Sequence, residues 1–218
     1  MSDAATTWCA LSEPWQVCLD EAWRSWAAGS AGVGCAITDP AGAVVATGRN
    51  RTMEQKQAPH DLAGTPIAHA ETVALSRLPF GDYTAHTLYT SFEPCMMCAS
   101  TILLVGVGTV AYAAADPLFE GLHDWFGELE WSARRRPERV VLGGPAGAFA
   151  HLLHLSWITF WIADGPVVEA HRRASERHLD AARDLGRDGR LAAVADAGGT
   201  AVDALSAIWD TVVAVAAD

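Results

Sequence analysis

The chain contains a single lysine, Lys56, and its excess of acidic residues gives a formal net charge of −11 over 218 residues. A chain of this charge repels a phosphate backbone unless its arginines cluster strongly. One basic cluster is present, SARRRPER at residues 132–139, and a short run of this kind is more often a solvated edge than a nucleic-acid contact. We therefore disfavour a large nucleic acid as the partner.

Long apolar runs and a regular set of cysteines are also missing. No stretch reaches the about 18 apolar residues that a bilayer span needs, so we expect no membrane segment. The first residues lack the basic start and apolar run of a secretory signal, which predicts a cytoplasmic protein. Of the five cysteines only Cys95 and Cys98 lie close together, which argues against a disulfide framework and for reduced thiols or metal thiolates.

The order of the predicted elements indicates an α/β fold. Residues 12–29 place tryptophans and other apolar residues at helical spacing, and we assign this stripe to the core. Residues 32–50 predict a β-hairpin with its turn at DPAG, and a long polar loop covers residues 51–67. From His69 onward helices alternate with strands. This alternation predicts a three-layer α/β domain.

The sequence changes character at about residue 147. The segment AFAHLLHLSWITFWIA is apolar on nearly every face, and two more helical segments follow it. We predict a domain over residues 1–146 and a C-terminal helical extension over residues 147–218, packed on that domain or on a partner subunit. Because so evenly apolar a helix is hard to hide under one small sheet, we expect a homodimer or a larger homo-oligomer.

Two short motifs carry the candidate chemistry. At a helix start, Cys95 and Cys98 of PCMMC can direct both thiolates to one metal ion, for which Zn²⁺ is the expected choice. With His69 of AHAE there are three ligands, which leaves a fourth position for water and indicates a catalytic site. Glu71 lies two residues beyond His69, where a general acid and base would reach that water. Taken singly, either motif also fits a structural, redox or chance occurrence.

The combination resembles the cytidine deaminase-like superfamily, whose zinc signature is H-x-E with P-C-x-x-C, over roughly residues 12–145. The segments TGRN, AHAE, TLYTSFEPCMMC and AYAAADP follow the order found in guanine deaminases and tRNA adenosine deaminases. The resemblance implies a three-layer α/β/α fold with a central five-stranded mixed sheet. It also implies Zn²⁺ held by His69, Cys95 and Cys98, a proton-shuttling Glu71, and contact of Asn50 with the base.

Further substrate-binding candidates follow the second predicted motif. Asp116 ends a predicted strand, where α/β domains place ligand-binding groups, although it also suits a cap of the next turn. Residues 118–131 concentrate aromatic and acidic side chains that could stack on a heterocycle and accept from its N–H groups. We select Trp125, Phe126 and Glu128, and note that each also fits plain packing or a surface role.

The predicted activity is hydrolytic deamination with release of ammonia. A free nucleobase or related aminated heterocycle, such as a guanine-like purine, cytosine or a triazine, ranks first as substrate, a nucleoside second and tRNA third. A zinc-stabilised scaffold without activity is the alternative from another class, and Glu71 argues against it because a structural site needs no such carboxylate. His151 and His154, three residues apart, suit a second metal site, but packing is the favoured interpretation.

Overall fold

A computed structural model describes residues 3–56, 58–59 and 61–216. In this part of the chain, five strands form one mixed sheet in the order β2-β1-β3-β4-β5. Strand β1 runs antiparallel to β2 and β3, whereas β3, β4 and β5 are parallel. The strands are β1 (Gly34–Thr38), β2 (Val44–Arg49), β3 (Thr87–Phe92), β4 (Thr109–Ala114) and β5 (Glu138–Val141).

Helices cover both faces of this sheet, which confirms the three-layer prediction. Helices α3 and α4 pack on one face, and α2 and α7 pack on the other. The helices are α1 (Ala4–Cys9), α2 (Glu13–Ala27), α3 (Ala70–Leu75), α4 (Met96–Val105), α5 (Leu122–Trp125), α6 (Glu130–Ala133), α7 (Gly144–Trp161), α8 (Pro166–Asp188), α9 (Arg190–Asp196), α10 (Ala201–Ala207) and α11 (Trp209–Ala216). Among the described residues, no helix is both long and apolar enough to cross a bilayer.

The N-terminal half follows the sequence pattern closely. Helix α2 buries Trp15 and Trp23 against the sheet, and the ring of Trp26 stacks on that of Trp23 with centroids 5.5 Å apart. The predicted hairpin is present, and the side chain of Asp39 accepts hydrogen bonds from the backbone of its turn. The tryptophan stripe is therefore core, as expected.

The apolar helix α7 is buried within the chain. Phe149, Leu152, Leu153 and Leu155 are fully enclosed by the sheet, α2 and the helices that follow. Only its last turn, at Phe160–Ile162, exposes large apolar side chains. The premise of the oligomer prediction, that one chain cannot cover this helix, is therefore wrong, because α8 and α11 supply the missing cover.

The C-terminal helices share one hydrophobic core with the sheet, and the boundary at residue 146 stays a prediction. One long segment expected to be helical is divided at Gly189, whose φ of 75° ends α8 in the left-handed region that glycine favours. Helix α8 is also kinked at Ser175, where φ is −162° and ψ is 98°.

Candidate metal centre

The three predicted ligands meet at the starts of two neighbouring helices. His69 is the N-cap residue of α3 and Cys95 is the N-cap residue of α4, both with extended backbone and neither with a side-chain capping bond. The Nδ1 atom of His69 lies 3.6 Å from Sγ of Cys95 and 3.6 Å from Sγ of Cys98. Tetrahedral zinc, with bonds of about 2.0 and 2.3 Å to nitrogen and sulfur, requires nitrogen–sulfur separations of about 3.6 Å.

A close contact between helix and strand sets the position of His69. A Cβ on Gly48 of β2 would lie 2.3 Å from the carbonyl oxygen of Ala70 and 2.6 Å from the nitrogen of Ala74. Any side chain at this position would therefore push α3 off the sheet. The glycine lets the first turn of α3, which carries Glu71, sit directly on β2.

The two thiols and the imidazole interact with one another through hydrogen bonds. A hydrogen bond from Cys98 lowers the pKa of Cys95 to about 4, and the same bond, followed by burial, raises the pKa of Cys98. The bond to Cys95 also raises the pKa of His69. A cation bound here would displace the thiol protons. A donor set of one imidazole and two thiolates fits Zn²⁺.

Glu71 lies beside this centre in a buried position. It belongs to the first turn of α3, is 3% exposed, and accepts a hydrogen bond of 3.0 Å at Oε1 from Oγ1 of Thr90 on β3. Burial, and then the negative charge of Cys95, raise the pKa of Glu71. Its carboxyl group can therefore carry a proton closer to neutral pH than an exposed glutamate would.

Asn50 follows β2 at the entrance to the long loop. Its Oδ1 accepts from N and Oγ1 of Thr52, at 3.1 and 2.8 Å, so part of its role is to stabilise the turn that follows β2. The next residue, Arg51, donates from its backbone to Ala68, which places this turn beside the approach to His69. In the described part of the chain Nδ2 of Asn50 has no hydrogen-bond acceptor, and its contact with a substrate stays a prediction.

Asp116 caps the turn that follows β4, and its predicted contact with a substrate stays a prediction. Its Oδ1 accepts from the backbone of Leu118 at 2.9 Å and caps the 3-10 turn Pro117–Phe119. Burial, and then the negative charges of Glu93 and Cys95, raise the pKa of Asp116 to about 6. The carboxyl group is thus close enough to the metal ligands for charges to interact.

The aromatic segment lies along the side of α4. Phe126 is buried against Leu103 and Leu122, whereas Trp125 and Glu128 are exposed. The described contacts do not bring these side chains to the ligand atoms. Their roles in substrate binding stay predictions.

Sequence reasoning missed two histidines that the fold brings to this region. His171 and His178 of α8 meet His151 and His154 of α7: Nε2 of His151 lies 3.2 Å from Nδ1 of His171, and the rings of His151 and His178 stack at 4.9 Å. Their spacing of seven residues equals two turns of a regular helix, but α8 is kinked at Ser175 between them, so spacing alone could not have placed both beside α7.

The histidine group reaches the metal centre through Phe92, the last residue of β3. The ring of His154 stacks on Phe92 with centroids 4.2 Å apart and planes at 24°. His154 is also near enough to His69 for their charges to interact. This group therefore lies near the metal ligands and belongs to the C-terminal helices.

An α/β/α fold that carries a histidine and a C-x-x-C pair at two adjacent helix starts defines a zinc protein of the deaminase class. Residues 11–114 match the cytidine and deoxycytidylate deaminase zinc-binding region, which includes all three ligands. The tRNA-specific adenosine deaminase of Aquifex aeolicus is 30% identical over 119 residues, which cover 53% of this chain and 73% of that protein. The chain belongs to the cytidine and deoxycytidylate deaminase family.

Other relatives match a smaller part of their length. Cytosine deaminase of Candida albicans is 35% identical over 94 residues, 42% of this chain and 57% of that enzyme. The chain likewise spans 60% of the tRNA-specific adenosine deaminase of Streptococcus pyogenes serotype M1. Among solved structures, a variant of NE0047 in complex with 8-azaguanine superposes with a TM-score of 0.51 at 23% identity, over 66% of this chain and 83% of that chain. This likeness shows the shared fold.

Proposed function

We propose that the protein is a zinc-dependent hydrolytic deaminase that acts on a free nucleobase or a related aminated heterocycle. The observation that carries this proposal is the buried Glu71 beside a metal centre that, among the described residues, has three ligands. Structural zinc sites are closed by four protein ligands, whereas a centre with three keeps a position for water. A buried carboxyl group next to that position suits proton transfer.

The residues of the site divide the reaction between them. Zn²⁺ held by the three ligands would lower the pKa of water, so that hydroxide is available near neutral pH to attack the amino-bearing ring carbon. Glu71 accepts the proton that this water releases and passes it to a ring nitrogen and then to the departing amine, which leaves as ammonia. Thr90 holds Oε1 of Glu71, so that the other oxygen is the one that exchanges the proton.

The placement of charge supports a small substrate over tRNA. Arg135 of the basic cluster lies at the C-terminal end of α4, where a Cβ on Gly106 would be 3.5 Å from its guanidinium. Cys95 caps the opposite end, about 15 Å away at 1.5 Å per residue. Phosphates flanking a base at the metal would therefore not meet Arg135. Arg139, the last residue of the cluster, does lie near the metal ligands, but its guanidinium is paired with Glu93. The net charge of −11 adds general repulsion.

The names of the relatives support two of the three candidate substrate classes. The cytosine deaminase of Candida albicans acts, by its name, on a free base, which agrees with the first choice. Similarity to the tRNA-specific adenosine deaminase of Aquifex aeolicus supports RNA as a substrate, and we place RNA third, after nucleosides.

Ammonia release from zinc-loaded protein tests the proposal. The substrates are guanine, adenine, cytosine, their nucleosides, aminated triazines and a tRNA anticodon stem, with Glu71→Gln as the inactive control. Turnover of a base that Glu71→Gln abolishes supports the proposal. Activity on the RNA alone contradicts our charge argument, and zinc-loaded protein that is inert to every compound supports the scaffold alternative.

We also propose that the protein works in a reducing compartment such as the cytoplasm, because the described cysteines are free thiols.

A homodimer stays part of the proposal. Phe160, Trp161 and Ile162, which end α7 with exposed apolar side chains, give it a smaller contact than the whole helix would have. Sedimentation that shows only monomer at micromolar concentration would remove it.

A further inference from the structure

His171 and Asp116 form a buried polar pair in which one nitrogen of the imidazole, Nε2, lacks a hydrogen-bond partner within the described residues. His171 is 1% exposed, and its Nε2 has no hydrogen-bond partner within the described residues. That atom lies 3.8 Å from Oδ1 of Asp116, which is too long for a direct hydrogen bond. A buried nitrogen left unpaired costs free energy, so the position calls for a ligand that supplies the missing bond.

The neighbouring histidine fixes which nitrogen of His171 carries the proton. Burial lowers the pKa of His171 to about 4 and that of His151 well below its usual range, so both rings are neutral at pH 7. The two share a hydrogen bond between Nε2 of His151 and Nδ1 of His171. If His171 donated this bond, its bare Nε2 lone pair would face the carboxylate of Asp116. The favoured arrangement is that His151 donates, which leaves an N–H on Nε2 of His171.

The pair therefore offers one donor and one acceptor side by side. Asp116 contributes carboxylate oxygens, of which Oδ1 already accepts from Leu118, so that acceptor capacity remains. His171 contributes the N–H. Nε2 of His171 and Oδ1 of Asp116 are 3.8 Å apart, which suits hydrogen bonds to two neighbouring polar atoms of a flat ring. Hydrogen bonds of about 2.9 Å point outward from such a ring, so the two protein atoms lie farther apart than the two ring atoms.

The pair lies close to the metal ligands. Asp116 interacts electrostatically with Cys95. The ring of Phe92 is 6.1 Å from that of His171 and 4.2 Å from that of His154, which in turn interacts with His69. A planar ring between the metal and these side chains would have apolar contacts with Phe92 and polar contacts with Asp116 and His171.

We propose that Asp116 and His171 recognise the lactam edge of the substrate, a ring N–H next to a ring carbonyl. Asp116 accepts from the N–H, and Nε2 of His171 donates to the carbonyl oxygen. This inference rests on the proposed function and names its substrate class: heterocycles that carry both an amino and an oxo group, such as guanine, cytosine or an amino-oxo-triazine. Rings that carry only amino groups present the opposite polarity and are rejected.

Two matched pairs of compounds test the selection. Guanine and 2,6-diaminopurine share the 2-amino group and differ in the polarity of positions 1 and 6, and cytosine and 2,4-diaminopyrimidine differ in the same sense. We expect the protein to prefer the oxo member by at least about 100-fold in kcat/KM, since a site built for hydrogen bonds strongly rejects a mismatched analogue. In His171→Phe the preference should fall to less than about 10-fold.

Two controls keep the test specific. His86→Phe changes a histidine whose buried Nδ1 also has no hydrogen-bond partner among the described residues. His86 precedes β3 at the opposite end of the sheet, so this variant should keep the preference. Asp116→Asn replaces part of the acceptor with a donor and should shift the ratio toward the diamino ring. If circular dichroism shows that His171→Phe is not folded, the ratio measured for Asp116→Asn decides the test instead.

Binding separates this inference from the proposed function. Calorimetry on zinc-loaded Glu71→Gln measures affinity for the same compounds without turnover. Preferential binding of the oxo rings, lost when His171→Phe is added, supports the inference even if no compound releases ammonia. Equal binding of both members, or an unchanged preference in His171→Phe, overturns it while leaving deamination in place, and absence of binding to all four rings also overturns it.

Discussion

Thr90 of β3 donates a hydrogen bond of 3.0 Å to Glu71 of α3, so the central strand and the helix that carries His69 hold one buried carboxyl group between them. Strand β3 also leads directly into Cys95 through Glu93 and Pro94. The proposed proton carrier and a metal ligand are therefore aligned by the same strand.

Removal of this hydrogen bond should lower the rate more than it lowers binding. We expect Thr90→Val to reduce kcat by about tenfold with bound zinc unchanged, because Glu71 loses the contact that orients it. Thr90→Ser, which keeps the hydroxyl, should restore most of the rate. A change in KM alone, with kcat preserved, would show that Thr90 acts through substrate binding.

Zinc content should follow the predicted ligands. Purified protein should hold one zinc per chain, and Cys98→Ser should lose most of it, because a buried thiolate is replaced by a poorer ligand. Cys9→Ser, at an exposed cysteine of α1, is the matched control and should keep full metal content. Elemental analysis after dialysis measures both, and equal zinc in the two variants would contradict the assignment.

Asn50→Asp separates the turn role of Asn50 from its predicted contact with the substrate. Aspartate keeps the oxygen that accepts from Thr52, but it loses the Nδ2 donor. We expect KM to rise by about tenfold or more, with little loss of thermal stability. Thr52→Val disturbs the turn instead and should act mainly on stability. Similar kinetics in Asn50→Asp and the parent protein would reduce Asn50 to a turn residue.

The contact of Gly48 with α3 should be sensitive to a single methyl group. Because a Cβ there would be 2.3 Å from the oxygen of Ala70, we expect Gly48→Ala to lower the free energy of unfolding by about 2 kcal/mol or more. Gly186→Ala is the control, since its Cβ would be 3.8 Å from the nearest atom, in the interior of α8. Urea denaturation compares the two, and equal losses would count against the proposed contact.

The buried histidines should make the protein less stable in acid. Burial lowers the pKa of His154 from 6.5 to about 3. Between these pH values the imidazole is protonated in the unfolded chain but neutral in the folded chain. The contribution to stability is complete above pH 6.5 and is lost as the pH falls toward 3, by on the order of several kcal/mol. His154→Leu should flatten this dependence in chemical denaturation. Asp116, whose raised pKa of about 6 acts in the opposite sense, is common to both proteins. An equally steep curve in His154→Leu would refute the assignment.

The sequence predicted the metal centre well because its ligands lie in two short motifs, each at a helix start. Residues that are close in sequence at a helix start are also close in the folded chain. The distances from Nδ1 of His69 to the sulfur atoms of Cys95 and Cys98 agree with a shared metal ion. The alternation of strands and helices likewise depends on local periodicity, which is why the three layers were expected.

What the sequence could not show depends on contacts between distant segments. The cover of α7 comes from helices 20 to 60 residues later, and without it Phe149 suggested an intersubunit surface. His171 joins Asp116 only because α8 folds back across the end of β4, more than 50 residues after it. The aromatic residues at 125 and 126 were attractive by composition, and composition does not distinguish a ring that packs on α4 from one that meets a ligand.

The enclosure of α7 by later helices has a consequence for the order in which the protein matures on the ribosome. The ligands of the metal centre and all five strands are synthesised before residue 142, but the hydrophobic layer behind the sheet is completed only when α10 and α11 emerge. The nascent chain therefore carries its metal-binding thiols on an incomplete core until α10 and α11 have been synthesised. We expect stable metal retention only after that point.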